Sequence, residues 1–313
     1  MIRSRKAGTV TCESCGKYPA QSKLLFVFMK KERYMKPERI LQTITADCHL
    51  HSSYSGDSHT PMEDMVLSGI SRGLNTMCFT EHHDLEYPPY PDLPEDTFLL
   101  NTDSYLYTLA VLKEQYADKI KLLFGVELGL QPEVARKNAV YARAYDFDFI
   151  IGSSHICHGK DPWYPGFFEG RDTESSLREY FEATLENIRH FSDFDVYGHL
   201  DYAVRYAPEK DDGYCYKTYA DILDEILKLL LAGGKGIELN TGGIKSGMRD
   251  FHPCMDILKR YRELGGEIIT PGSDAHDAEN IGTHFNRAAD VLRECGFRYY
   301  CVYEKRKPAF YRL

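Results

Sequence analysis

The sequence has little of what marks several large protein classes. No apolar run approaches the roughly 18 residues that a membrane-spanning helix needs. The longest early apolar stretch, Leu24–Met29, is too short for the core of a secretory signal, and no small-residue cleavage site follows it. No Gly-x-Gly-x-x-Gly follows the first β-rich run, which removes support for a dinucleotide-binding fold. The nine cysteines form no regular framework. One Cys-x-x-Cys, Cys12 and Cys15, lacks the second pair that a zinc ribbon requires. An odd cysteine count without a secretory signal reads as reduced thiols and a cytoplasmic location. Composition also excludes collagen, coiled coil and extended disorder.

What remains is a chain of 313 residues, 43% hydrophobic and 27% charged, long enough for one large α/β barrel. Its charge is uneven. Residues 1–45 carry ten Lys/Arg against three Asp/Glu, whereas the rest holds 28 basic and 44 acidic residues. The first segment reads as a basic leader, disordered or translated upstream of the true start, with Met29 and Met35 as internal starts. A domain is expected over residues 46–313. So acidic a surface repels polynucleotide phosphates, so no nucleic-acid partner and no membrane partner is expected. Any phosphate it handles needs a local reversal of sign, for which bound metal ions are the usual means.

From Ala46 onward, β-rich runs alternate with helical periodicity. The runs are Ala46–Leu50, Thr76–Thr80, Lys121–Val126, Phe147–Gly152, Phe194–Tyr197, Gly236–Leu239 and Glu267–Thr270. Between them, apolar residues at i, i+3, i+4 spacing predict helices over Met62–Arg72, Ser104–Tyr116, Ala135–Tyr145, Ser175–Phe191, Tyr219–Leu231, Cys254–Leu264 and Ile281–Glu294. Such alternation implies parallel strands with crossover helices, and a barrel of about seven strands fits it better than an open sheet. An eighth run, Arg298–Tyr303, could close or flank the barrel. Two long loops, the proline-rich Tyr87–Thr97 and the aromatic Cys157–Thr173, are expected to cover a substrate.

Six of the twelve histidines sit at or just past the C-terminal ends of these strands. Asp47-Cys48-His49-Leu50-His51 ends the first and Glu81-His82-His83-Asp84 the second. Glu127, His155 and His199 end the third, fourth and fifth, and Ser273-Asp274-Ala275-His276 the seventh. In an α/β barrel that rim is where all these ends meet. Side chains at i and i+2 of a strand leave one face about 7 Å apart, so His49 and His51 can reach one cation. A lone His-x-His is more often two unrelated histidines; six strand ends bearing His, Asp or Glu make coincidence a poor account. Imidazole and carboxylate without a cysteine cluster suit Zn, Mn or Fe. Cys48 alternates to the other face and should pack. A carboxylate such as Glu127 can bridge cations, and two or three of them can clamp a phosphoryl group.

The run Asp47-Cys48-His49-Leu50-His51-Ser52, with Gly56-Asp57 after it, resembles the first motif of the PHP (polymerase and histidinol phosphatase) superfamily. Phe79-Thr80-Glu81-His82, Gly198-His199 and Gly272-Ser273-Asp274-Ala275-His276 resemble later motifs. The likeness spans residues 46–307. It is closer to the histidinol-phosphatase branch, through Gly152-Ser153-Ser154-His155 and Gly198-His199-Leu200-Asp201 followed by Arg205. It implies a distorted (β/α)7 TIM-like barrel with a trinuclear site at the C-terminal rim. By position, His49, His51, Glu127 and Asp274 would hold a first metal; Glu127, His155 and His199 a second; Asp57, His82 and His276 a third. Asp57 stands where the superfamily often has His. The implied cofactors are two to three divalent ions (Zn, Mn or Fe), and the implied partner is a small phosphorylated substrate. The implied reaction is hydrolysis of L-histidinol phosphate to L-histidinol and phosphate in histidine biosynthesis. Glu127, Asp274 and Arg205 would be catalytic, Arg205 forking onto phosphate oxygens rather than pairing with Asp201 or Glu209.

His158, in the aromatic loop, is taken as a substrate contact, with a plain surface role weighed equally. His83 should pack or support the site. His59, His190, His252 and His284 are expected at the surface or as caps. Trp163, Tyr164, Phe167 and Phe168 could pack the loop onto the barrel or wall the pocket, with packing the favoured role. Three alternatives share parts of this pattern. A phosphatase or nuclease acting on nucleotides uses the same barrel. An amidohydrolase also opens with His-x-His but has no need of Asp57, His276 or Arg205. A binding module would have lost ligands, and none is lost. Which group protonates the leaving alkoxide stays open.

Overall fold

The computed structural model describes residues 43–313 apart from Asp92. The leader, with Cys12, Cys15, Met29 and Met35, lies outside the described residues. Among the described residues there are ten strands: β1 (Ala46–Asp47), β2 (Thr76–Phe79), β3 (His82–His83), β4 (Lys121–Gly129), β5 (Phe149–Ser153), β6 (Val196–Tyr197), β7 (Gly236–Asn240), β8 (Ile269–Gly272), β9 (Tyr299–Glu304) and β10 (Lys307–Arg312). The helices are α1 (Met62–Ser71), α2 (Thr102–Gln115), α3 (Ala135–Tyr141), α4 (Thr173–His190), α5 (Ala220–Ala232), α6 (Gly242–Lys245), α7 (Met255–Glu263) and α8 (Phe285–Glu294).

The strands pair in parallel in the order β1-β2-β4-β5-β6-β7-β8, and β3 continues the line of β2 beside β4. This is a nearly closed barrel of seven parallel staves with helices between them. Helices cover the outer face while side chains fill the inside, so every residue of β4 after Lys121 is buried. Helix stripes read from the sequence face the barrel: Leu177, Tyr180, Phe181, Leu185 and Ile188 of α4 are buried, as are Ile222, Leu223, Ile226, Leu227 and Leu230 of α5. Asp172 caps α4 by accepting from the Ser175 amide at 2.8 Å.

Among the described residues β1 and β8 share no regular ladder, and the seam is joined by bonds at the ends of the two strands. Cys48 N–H donates to Pro271 O (3.0 Å), Asp274 N–H to His49 O (2.8 Å) and His51 N–H to Ala275 O (2.9 Å). The eighth run does not close the barrel. It forms β9, which pairs antiparallel with β10 and packs beside β8. The intervening turn places Arg306 at the opposite rim, where its Nε donates to Asp195 at 2.6 Å. Among the described residues no helix is long and apolar enough to cross a membrane.

Candidate metal centre

Past β1 the chain stays extended, so His49 and His51 point the same way, their Nε2 atoms 3.1 Å apart. Leu50 and Cys48 point away into the core. Glu127, on β4, stands at the centre. Its Oε2 lies 3.2 Å from His49 Nε2 and 3.1 Å from His82 Nδ1. Its Oε1 lies 2.9 Å from His199 Nε2 and 3.3 Å from His155 Nε2. Asp274, directly after β8, reaches His51 Nε2 at 3.4 Å and His49 Nε2 at 3.7 Å. Asp57, in the loop after β1, completes the outer edge, 3.1 Å from His276 Nε2 and 3.5 Å from His82 Nε2. Nine side chains from seven separate segments thus form one continuous cluster. The donor atoms group closely as His49/His51/Asp274, His49/Glu127/His199, His82/Glu127/His155 and His51/His82/His276.

A surrounding layer turns the imidazoles inward. His49 Nδ1 donates to Glu238 Oε1 at 2.7 Å, and His155 Nδ1 to Asp84 Oδ1 at 2.7 Å. His51 Nδ1 donates to Ser55 Oγ at 3.0 Å, and that hydroxyl donates to Glu81 Oε2 at 2.5 Å. A carboxylate or hydroxyl on Nδ1 fixes the tautomer and leaves the Nε2 lone pair for a cation. Gly272 makes room for this layer, because a Cβ there would lie 2.1 Å from Glu238 Oε1 and 2.4 Å from His49 Cβ.

Burial opposes charge on Glu127, yet His49, His155 and His82 outweigh it and hold the carboxyl well below its ordinary range. Asp274 is likewise held low against burial by His49, His51 and Arg205. Burial, with His82 and His276 alongside, pushes His51 well below the ordinary imidazole value. Against burial, the carboxylates push His49, His82, His155 and His276 the other way, up toward the charged form. Since a neutral imidazole and an ionised carboxylate are the forms that bind metal, cations there would displace protons. Four buried atoms in the cluster, Glu127 Oε2, His82 Nδ1, His199 Nδ1 and His276 Nε2, have no hydrogen-bond partner. Such atoms are costly unless something else satisfies them. Several imidazole nitrogens converging on two carboxylates fit divalent cations of the Zn, Mn and Fe type.

Arg205 sits in a short 3-10 turn after β6 and reaches the same cup. Its side chain is buried over the rings of Tyr202 and Tyr206, and its Nη2 donates to Asp274 Oδ2 at 3.3 Å. Neither of its sequence-neighbour acids is its partner. Asp201 is taken by His252 Nδ1 (2.6 Å) and the Cys254 amide (2.9 Å). Glu209 accepts from Thr173.

Two expectations need correction. His158 is not among the residues lining the cup. A left-handed backbone (φ 47°) turns it outward, where it pairs with Glu179 at 3.2 Å beside a separate small cavity. His252 is neither a surface residue nor a cap; it is fully buried against Asp201. The other histidines follow the sequence pattern more closely. His83 stacks on Tyr141 at 3.8 Å, and His59 and His190 are exposed. In the aromatic loop, Phe167 and Phe168 are buried, while Trp163 is 62% exposed at the mouth of the cup.

The layer of Glu81, Asp84 and Glu238 had no assigned role in the sequence. A signal existed for Glu238, a lone acid inside the apolar strand Gly236–Asn240. The cup itself is a cavity of about 510 Å³.

The chain belongs to the PHP domain family, which matches residues 47–242. It is 32% identical to the histidinol-phosphatase of Lactococcus lactis over 253 residues, 80% of this chain and 91% of that protein. It is 31% identical to a probable histidinol-phosphatase of Clostridium acetobutylicum over 252 residues, 80% of this chain and 94% of that one. It also resembles the crystal structure of a Lactococcus lactis histidinol phosphate phosphatase complexed with zinc, L-histidinol and phosphate. That likeness has a TM-score of 0.76 at 29% identity, covering 85% of this chain and 98% of the other.

Proposed function

We propose that this chain is a metal-dependent phosphomonoesterase that hydrolyses L-histidinol phosphate to L-histidinol and phosphate, its catalytic barrel spanning residues 46–313. The observation that carries this reading is the cup. Glu127 and Asp274, ionised and buried, are ringed by inward-facing imidazoles, with one guanidinium beside them. Its setting in a chain closely related to histidinol-phosphatases supports the same reading.

The chain uses divalent metal, and we assign two to three ions, of Zn, Mn or Fe type. His49, His51, Asp274 and Glu127 would hold the first; Glu127, His155 and His199 the second; His82, His276 and Asp57 the third. Bound cations neutralise phosphoryl oxygens and make a water nucleophilic at neutral pH. The protein's own groups do the rest. Glu127, anchored by Ser153 Oγ at 2.6 Å, would be shared between the ions on either side of it. Glu238, Asp84 and Glu81 hold the rings in register. Arg205 turns the donors that Asp274 does not occupy toward the phosphate and strengthens its hold as charge spreads over the equatorial oxygens. Asp57, His276 and Arg205, all lining the cavity, favour a phosphatase over an amidohydrolase.

The test is phosphate release from a panel of L-histidinol phosphate, nucleoside monophosphates and sugar phosphates. L-Histidinol phosphate should have the highest kcat/KM. A nucleotide or sugar phosphate in first place would replace the assigned substrate while leaving the phosphatase chemistry intact.

A further inference from the structure

Four carboxylates line the cup: Asp57, Asp84, Asp161 and Asp274. Three are faced by imidazole or guanidinium within ion-pair distance: Asp57 by His82 and His276, Asp84 by His155, Asp274 by His49, His51 and Arg205. Asp161 differs. Among the described residues no Lys, Arg or His makes an ion pair with it, although only 5% of its surface is exposed. Its partners are neutral donors. Oδ1 accepts from the Trp163 amide (2.7 Å) and from Tyr202 Oη (3.3 Å), and among the described residues Oδ2 accepts from Tyr87 Oη (2.5 Å). Each carboxylate oxygen has two lone pairs, so Oδ2 keeps one acceptor position free. Burial pushes the Asp161 carboxyl up against the opposing pull of its Tyr87 and Trp163 donors and of His155. The surrounding wall is aromatic, with Tyr87, Trp163 and Tyr202 all facing the cup, and such a wall suits an organic cation.

The cup is therefore polarised. Tyr202 stands between the two poles: its ring underlies Arg205 at 4.8 Å, and its hydroxyl donates to Asp161. The guanidinium and the imidazole-rich cluster make one end fit for a phosphate, and the unneutralised carboxylate makes the other fit for a positive charge. The cations lining the cavity besides the cluster are already committed, Arg205 to Asp274 and Lys245 to Asp277 at 2.8 Å. We propose that Asp161 is the specificity residue of this enzyme and receives the ammonium group of the substrate's leaving alcohol. The inference rests on the phosphatase reading above and deepens it, naming the side chain that reads the substrate's positive charge.

Two esters, one with that charge and one without it, test it: L-histidinol phosphate and its N-acetyl derivative, assayed on the metal-loaded enzyme. The ratio in Asp161→Asn separates charge from the bulk of the acetyl group. Wild-type protein should prefer the ammonium ester by about 10–100-fold in kcat/KM, the range expected of a hydrogen bond to a charged group. Asp161→Asn, of the same shape without the charge, should compress that ratio to within about threefold. Tyr87→Phe, which loosens the carboxylate without discharging it, should retain most of the preference. Asp161→Ser, read by the same ratio, is the second variant should the amide fail to fold. A wild-type enzyme indifferent to acetylation overturns the proposal. So does an Asp161→Asn enzyme that loses both esters equally, since that marks a purely structural knot between the loops. Failure of the phosphatase reading looks different: p-nitrophenyl phosphate would be left intact along with both esters.

Discussion

The two rims of the barrel solve the same problem, how to bury carboxylates, in opposite ways. At the N-terminal rim, Asp148 and Asp195 precede β5 and β6. The Phe124 and Lys305 amides donate to Asp148 at 3.0 Å each, the Ile150 amide to Asp195 at 2.8 Å, and Arg306 closes on Asp195 at 2.6 Å. Every charge there meets a donor supplied by the chain. At the C-terminal rim, Glu127 and Asp274 meet mostly imidazole nitrogens, and Glu127 Oε2 has no hydrogen-bond donor. One rim is finished by folding, whereas the other is completed only when cations arrive. A buried acid by itself marks nothing. What separates structural from functional acids here is whether the polypeptide provides their donors.

If that contrast is right, removing metal should act on one rim alone. Chelation should abolish phosphate release, and added Zn or Mn should restore it, while the far-ultraviolet circular dichroism of the barrel persists. Full activity in metal-free protein would erase the distinction. The next largest effect should come from Glu127→Gln, with kcat down by more than about 10³-fold and metal content reduced by at least one equivalent, measured by elemental analysis. Near-normal turnover would mean that the centre of the cup lies elsewhere.

Arg205→Met should lower kcat/KM by about 10²–10³-fold, or about 2.7–4 kcal/mol, with metal content unchanged. Lysine should recover only part, because a point charge cannot make the paired contact. Wild-type efficiency in Arg205→Met would return that arginine to a structural role. The counterpart on the finished rim is Arg306→Met. It should cost about 1–3 kcal/mol in urea denaturation by leaving Asp195 short of its charged donor. In the protein that remains folded, kcat/KM should stay at its wild-type level. A catalytic defect there would show that the rims are coupled.

The strand–helix alternation was legible because each stave is a short apolar run between helical stripes, and observed boundaries fall within a few residues of the expected ones. The cluster was legible because its ligands sit at strand ends, where position in the chain dictates position in the cup. Side chains set by tertiary approach were harder to read. His252 looked like a surface residue because nothing nearby in sequence announces Asp201 as its partner. His158 adjoins the site in sequence, but its left-handed backbone carries it away. Arg298–Tyr303 has the pattern of a stave, yet the chain reverses at Lys305–Arg306 and pairs it with β10 instead. Glu238 and Asp84 act through the rings they orient, and their targets lie 189 and 71 residues distant.

The seam between β1 and β8 has a mechanical consequence. The amides that join it, those of Cys48, His51, Ser273 and Asp274, lie within the same stretches that supply His49, His51 and Asp274 to the cup. A cation gripped by all three would act as a rivet across the one joint where the wall of staves is not held by a regular ladder. The His51 and Asp274 amides should therefore exchange hydrogen for deuterium much faster in chelated protein than in metal-loaded protein. The Phe79 and Val126 amides, deep in the continuous part of the wall, should exchange at equal rates in both. Ions held there would double as a hoop across the seam.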